Sequence, residues 1–479
     1  MRITLINPRL RTWSPNIYPP LGLCYIAASL EQAGHEVDIV DMNSHRVSDK
    51  ALLKHIENSP IVGIGGLITE YAEVVRLAQI IKQADANRIV ILGGPLATTH
   101  SKELLETSSA DAVVVGEGEQ TIVELVKGTE QGTSKDLIKG IVYRDGEKII
   151  AHPPREPEND LDSIPHPARH LLDMSRYSTH HFKSFGIKMP EVKSTTLISS
   201  RDCPYHCDFC FGSPNKKWRA RSPEDMVSEM QELRNEYDIR GFVFNDDTFT
   251  VQKRRVLDFC TLLKREMPDA LWYCNGRVNL MDEEMIQAMA DCGCVGIAYG
   301  IESGNQRILD SVHKQITLEQ VERITKLTME YGIHVTGYFM LGILGDTRAT
   351  IQETLDFADK LNLDFYGFSI TSPIPGTEMY RQAAEKGLVE KDKRLEDWSF
   401  HAQMNLTEDV STKELEQLNE YAFRRFTIEK RWGKHYLLNP KLWWEGLQTL
   451  IFLIRKRNVS ELLRKVVVLL RHPTNHSSR

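Results

Sequence analysis

The strongest constraint on this chain is an alternation of short apolar strands with amphipathic helices, which runs through it twice. In the first series, strand patterns at 2–7, 36–41, 61–64, 89–92 and 112–115 alternate with helical patterns such as 23–33, 71–84 and 120–126. Alternation of this kind builds βαβ units, and these make a parallel sheet covered by helices on both faces. The second series starts near Thr195, with strands at 195–199, 241–245, 271–275, 296–300, 334–340 and 365–371. Helices at 223–237, 254–267, 282–292, 318–331 and 350–361 fall between them. Six βα units predict a partial barrel, with its functional residues at the C-terminal ends of the strands. The fold class is therefore α/β: a doubly wound parallel sheet, then a partial (β/α)6 barrel, then a helical C-terminal region.

The 479 residues have room for about three domains. The chain divides into an α/β domain at 1–130, a connection at 131–194, the barrel at 195–390 and a helical tail at 391–479. The connection holds a hairpin, 141–144 and 148–151 around Asp145-Gly146, followed by Pro153, Pro157, Pro165 and Pro167. Prolines remove backbone donors and interrupt regular elements.

Lys and Arg total 59 against 66 Asp and Glu, a formal charge of −7. That balance excludes a generally basic nucleic-acid binder, and no nucleic-acid partner is expected. The tail is the exception to the average. Between 437 and 470 it carries Trp443, Trp444 and Phe452 among Arg455-Lys456-Arg457 and Arg464-Lys465. Two readings stand there: a helical cap over the barrel with a solvated basic face, or a peripheral contact with an anionic membrane surface. The N-terminus has no signal-peptide pattern, and no apolar run nears the ~18 residues that span a bilayer. A cytoplasmic chain, with possible peripheral membrane contact, is the expectation. Eight cysteines are too sparse for a disulfide scaffold and fit a reducing compartment.

Position matters more than number for both glycine and cysteine. Gly65-Gly66, Gly93-Gly94-Pro95 and Gly116-Glu117-Gly118-Glu119 follow strands of the first series, where a large cofactor can approach the backbone. The first strand is not followed by Gly-x-Gly-x-x-Gly, which counts against a dinucleotide. Directly after the first barrel strand comes Arg201-Asp202-Cys203-Pro204-Tyr205-His206-Cys207-Asp208-Phe209-Cys210. Three thiolates on one short loop can hold three irons of a [4Fe–4S] cluster and leave the fourth open to a ligand. The alternative is a zinc site completed by a histidine such as His206. Cys24, Cys260, Cys274, Cys292 and Cys294 lack this spacing and read as buried small residues.

Cys203, Cys207 and Cys210 match the signature of the radical S-adenosylmethionine (SAM) superfamily, and the chain resembles that family at later strand ends as well. The resemblance implies that the open iron chelates SAM and that reductive cleavage yields a 5′-deoxyadenosyl radical. An external low-potential electron donor is then required. It also implies that Phe209, Asp246, Asp247, Arg277, Glu302, Ser303, Tyr338 and Leu341 bind SAM. Each has a plainer reading: Asp246 and Asp247 can cap the next helix, and Glu302 can pair with Arg277. Where relatives read Gly-x-Pro-Gly-Glu-Thr, this chain has Gly342-Ile343-Leu344-Gly345-Asp346-Thr347, without the proline and with a shorter acid.

The first domain resembles the Rossmann- or flavodoxin-like cobalamin-binding domain that precedes the barrel in one radical SAM subclass. Tyr18-Pro19-Pro20-Leu21-Gly22-Leu23, Ala33-Gly34-His35-Glu36-Val37 and the glycine loops carry that likeness. It implies cobalamin contacts from Tyr18, Pro20, Leu67, Thr69, Glu70, Gly93, Gly94, Pro95, Gly116, Glu117, Gly118 and Glu119. Asp-x-His-x-x-Gly is absent and His35 reads as a surface residue, so cobalt without a histidine lower ligand is expected. The resemblance implies a C-methyltransferase acting on a small-molecule, lipid or peptide substrate. An oxidative cyclase or rearrangement enzyme of the same superfamily is the first alternative. A catalytically silent cofactor-binding sensor is the other.

Overall fold

A computed structural model describes residues 1–10, 18–44, 47–132, 138–177, 192–211, 217–389, 404–407 and 409–430. The first sheet contains β1 (Arg2–Asn7), β2 (Glu36–Asp41), β3 (Ile61–Gly65), β4 (Ile89–Gly93) and β5 (Ala112–Val114), all parallel. In β1 the run Ile3, Thr4, Leu5, Ile6 is buried on both faces, as expected of a central parallel strand. The order 2-1-3-4-5 reverses direction between β1 and β3, and the crevice beyond the strand ends lies at that reversal. The helix Tyr71–Ala84 shows how the layers hold: Tyr71, Val74, Leu77, Ala78 and Ile81 recur on one face and are buried.

The hairpin assigned to the connection belongs to this sheet. Its strands β6 (Ile141–Asp145) and β7 (Lys148–Ala151) continue it past β5 in antiparallel register, so the sheet runs on beyond residue 130. Helices Asp49–His55 and Ser101–Thr107 were not anticipated, because seven residues span too little of the helical period to show it.

The second sheet opens with β8 (Ser194–Leu197). Two short strands, β9 (Ser200–Arg201) and β10 (Arg219–Ala220), pair antiparallel and bracket the cysteine loop. Next come β11 (Gly241–Phe244), β12 (Leu271–Gly276), β13 (Cys294–Glu302), β14 (His334–Leu341) and β15 (Phe365–Ile370). With β8 they form six parallel strands in the order 8-11-12-13-14-15, an open barrel in which β8 and β15 are the edges. Between sheet and helices, Phe244 and Trp272 of the strands and Phe249 pack edge to face against Phe259 of the helix Lys253–Glu266. A π-helical turn, Phe423–Glu429, covers the β15 edge, with the Phe426 ring 5.1 Å from both Tyr366 and Phe368. No helix among the described residues is long and apolar enough to cross a membrane. The basic tail lies outside the described residues.

Candidate functional site

The C-terminal ends of both sheets open onto one cavity of about 1320 Å³. From the first sheet it is lined by Asn7, Tyr18, Pro20, Gly65–Leu67, Glu70, Gly93–Pro95 and the loop 116–119. From the barrel come Ile198, Ser200, Arg201, Asp202, Asn245 and Asp247. Strand direction puts the glycine and cysteine loops at the C-terminal ends of their sheets, and the packing of the two domains brings those ends together.

The cysteine loop is held from several sides. The Cys203 thiol lies 3.5 Å from the Thr248 hydroxyl, and Arg277 Nη1 is 3.7 Å from Cys207 Sγ. Directly after Cys207, Asp208 is buried and takes His313 Nδ1 at 2.8 Å, Gln382 Nε2 at 3.1 Å and, through its carbonyl, the Met379 amide at 2.8 Å. Cys210 and His206 are exposed. No three His, Cys, Asp or Glu side chains among the described residues converge on a single-ion position. The donors are instead three soft sulfurs strung round one loop, a set that suits an iron–sulfur cluster. The other five cysteines are buried, as expected.

Positive φ in residues other than glycine concentrates here. Asp202, Glu302, His313 and Gln315 lie at the barrel mouth, with φ of 64°, 68°, 54° and 55°. The other two among the described residues, Asp238 and Asn362, simply end helices. Backbone strain of this sort persists where the surroundings over-determine it. At Glu302 the cause is visible: β13 bulges between Gly300 and Glu302, and Lys314 Nζ donates to Glu302 Oε1 at 2.7 Å. Gly300 leaves room for this pair, since a Cβ there would stand 2.4 Å from Glu302 Oε1. Lys314 also lies 5.5 Å from the Phe209 ring centroid. Glu302 does not pair with Arg277. That guanidinium donates to the Lys314 carbonyl and to Asn279 Oδ1 and stacks 3.7 Å over Tyr205.

Other residues assigned to SAM are differently placed. The Asp246 carboxylate is buried and accepts from the Ser199 amide at 2.7 Å and from the Ser199 and Ser200 hydroxyls at 2.6 Å. It caps no helix and braces the exit from β8. Asp247 lines the cavity wall, where burial and then Asp246 and Asp202 push its carboxyl up. Ser303 is buried against Thr354, 3.1 Å away, and the Leu341 side chain is fully inside the barrel's outer core. Tyr338 is exposed, lying across Gly367, whose added Cβ would meet the ring at 2.6 Å. In the turn after β14, Asp346 pins the loop to the following helix: Ile343 N donates to it at 2.8 Å and Thr350 Oγ1 at 2.7 Å.

On the first sheet Tyr18, Pro20, Leu67, Gly93, Gly94, Pro95 and 116–119 all face the cavity. Gly94, at φ 88°, comes so close to the loop after β3 that a Cβ would stand 3.1 Å from the Gly66 carbonyl oxygen. Thr69 is buried and donates to Glu70 Oε1 at 2.5 Å, while Glu70 Oε2 takes the Leu67 amide at 2.7 Å. Thr69 shapes the loop from behind, while Glu70 is itself part of the cavity wall. Glu117 and Glu119 turn their carboxylates to Arg219 and Arg201 on the barrel side. Burial alone would raise Glu117, but Arg219 and Arg201 outweigh it and hold it below the ordinary range. His35 is buried rather than superficial, beside Glu130 at the start of β2, the far end of the sheet from the cavity.

Sequence reading missed Lys314, Asp208, Arg201 and Arg219. Asp208 lay in plain view within the cysteine loop. Arg219 offers no local signal, because its partner Glu117 is 102 residues away.

The surroundings thus suit two nucleotide-derived cofactors and one cluster: glycine loops at a strand-order reversal, a polar mouth at the barrel ends, and a three-thiol loop that continues directly from cavity-lining Ser200–Asp202. The sequence pattern of the radical SAM superfamily matches residues 197–358, and that of the B12 binding domain matches 11–126. The chain belongs to the cobalamin-binding radical SAM enzymes, whose cofactors are a [4Fe–4S] cluster, SAM and cobalamin. An uncharacterized methyltransferase of Pyrococcus horikoshii is 35% identical over 398 residues, covering 81% of this chain and 84% of that protein. The anaerobic magnesium-protoporphyrin IX monomethyl ester cyclase of Rubrivivax gelatinosus is 29% identical over 405 residues, 81% of this chain and 70% of that one. The fold is also that of the cobalamin-dependent SAM radical enzyme OxsB, solved with aqua-cobalamin and SAM bound. The TM-score is 0.74 at 19% identity, over 94% of this chain and 70% of that one.

Proposed function

We propose that this enzyme transfers a methyl group to an unactivated carbon of its substrate. The observation that carries the reading is the single cavity walled by the glycine loops of the first sheet and by Ser200–Asp202, Asn245 and Asp247 of the barrel. When bound, the cluster with SAM supplies a carbon-centred radical and cobalamin supplies a transferable methyl group. The chain's own task is orientation. Cys203, Cys207 and Cys210 would hold the cluster, with the Glu302–Lys314 pair and Asp247 near SAM. Gly93, Gly94 and 116–119 would receive the corrin side. The ion pairs of Arg201 and Arg219 with Glu117 and Asp202 tie the two domains together at the cavity wall. Small misplacement of reacting groups costs rate steeply. Electrons come from an external low-potential donor.

The Pyrococcus relative named as a methyltransferase supports this reading. The likeness to the Rubrivivax cyclase supports a second, oxidative one. Product analysis separates them. The reconstituted enzyme, given SAM, a strong reductant and candidate substrates, is expected to form S-adenosylhomocysteine alongside 5′-deoxyadenosine. Turnover that yields 5′-deoxyadenosine alone rejects methyl transfer and favours the oxidative reading.

A further inference from the structure

We propose that Arg219 is a positioning residue that ties the corrin-side loop of the first sheet to the cluster loop of the barrel, so that cobalamin and the cluster strengthen each other's binding. The cluster loop leaves through β9 and returns through β10, paired so that Arg201 stands directly opposite Arg219. Two adjacent guanidinium groups repel, and the first domain supplies the compensating charge. Arg219 Nη1 and Nη2 donate to Glu117 at 3.0 and 2.6 Å, while Arg201 Nη2 donates to Glu119 at 2.6 Å.

Arg219 also reaches the other way. Its Nη2 donates to Asp202 Oδ2 at 2.8 Å, and Asp202 is the left-handed residue immediately before Cys203. A fourth bond, from Nη1 to the Glu158 carbonyl at 2.7 Å, adds the connecting segment. The Arg219 side chain is 3% exposed, that of Asp202 10% and that of Glu117, on the cavity wall, 25%, so the guanidinium itself is held by protein partners. A two-pronged arginine–carboxylate contact fixes orientation as well as distance, which a point charge cannot do. Glu117 and Glu119 flank Gly118 on the cavity-lining loop. Anything that settles that loop is therefore felt at Asp202 and the cysteines, and coupling between two sites is reciprocal.

The test uses the full chain with and without its reconstituted cluster, titrated with hydroxocobalamin by absorbance and followed by amide hydrogen exchange. In the wild type, cluster loading is expected to tighten hydroxocobalamin binding by roughly fivefold or more, the lower end of ordinary coupling. Hydroxocobalamin should also protect amides in 200–211 as well as in 115–119. Glu117→Gln keeps the shape but not the charge, and Arg219→Lys keeps the charge but not the fork. In both, the cluster's effect should shrink to within about twofold of none, with protection confined to 115–119. Arg76→Gln, whose partners Asp49 and Glu73 lie within the first domain, should behave as the wild type. If Glu117→Gln and Arg219→Lys fail to fold, Glu119→Gln makes the same test through Arg201. A wild type whose 200–211 segment ignores hydroxocobalamin, or variants that keep the full coupling, overturn the proposal. Neither readout depends on the reaction catalysed, so failure here leaves the methyl-transfer reading standing.

Discussion

Glu302 and Lys314 face each other at 2.7 Å with side chains only 10% and 7% exposed. Removing one partner of such a pair strands the other charge and costs about 3–5 kcal/mol, whereas removing both is far milder. Lys314→Met is therefore expected to lose about that much stability in urea unfolding, and adding Glu302→Gln should recover most of it. Gly300→Ala acts on the same pair by steric means, since its Cβ would also meet Lys314 Nζ at 2.9 Å. A Lys314→Met protein as stable as the wild type would contradict the pairing. Asp346 makes a different prediction, one of pH. Burial pushes its carboxyl up to about 6 against the hydrogen bonds of Thr350 and Ile343. A carboxyl raised on folding holds its proton more tightly in the folded state. Its contribution is thus full below the ordinary value near 4 and is lost as pH rises through about 6. The stability of the wild type relative to Asp346→Asn should fall across that interval and level off above it, as measured by urea midpoints.

At the scale of elements, legibility followed how local the determinant is. The bounds of β1, β2 and the helices Tyr71–Ala84 and Pro223–Tyr237 coincide with the pattern of their own residues, the last helped by Ser222 capping and Pro223 at the first turn. The membership of β6 and β7 in the first sheet was hidden, because it depends on β5 rather than on the hairpin itself. The cavity could be foreseen from glycine and cysteine at strand ends. The direction taken by Glu117 and Glu119 could not, since distant arginines decide it. A further element contact yields a prediction. His166, between Pro165 and Pro167 of the connection, bridges to Asp225 at 3.2 Å and Glu232 at 2.8 Å on the helix Pro223–Tyr237. Burial would lower its pKa, but the two carboxylates win and raise it to about 9. A histidine raised on folding stabilises fully below its ordinary value of 6.5, and that stabilisation is lost as pH rises through about 9. The advantage of the wild type over His166→Gln should be largest just below 6.5, shrink as pH rises from there, and vanish above about 9. An advantage that persists at high pH would show that the bridge is not ionic.

At the scale of the molecule, the two sheets are not independent bodies joined by a linker. One apolar cluster holds Ile64, Leu92, Leu96 and Val113 of the first domain together with Ile308, Val312, Ile343, Leu344 and Met379 of the barrel side. The cofactor cleft is thus secured by two fastenings of opposite chemistry, this shared core and the arginine–carboxylate belt beside the cysteine loop. A cavity that must hold two large cofactors at a fixed separation needs both. The ion pairs set orientation, and the core supplies burial that orientation alone does not provide. A protein built this way should unfold as one cooperative unit, because parting the halves would expose this shared cluster to water. Ile308 is fully buried in this cluster, on the helix Gln306–Ser311 that follows β13. Truncation to Ala at such a site costs about 2–5 kcal/mol. If the core is shared, amides of β4 in the first sheet should lose as much exchange protection in Ile308→Ala as amides of β11 in the barrel. Loss confined to the barrel would mean that the domains open separately, and the fixed separation of the cofactors would then rest on the arginine–carboxylate belt alone.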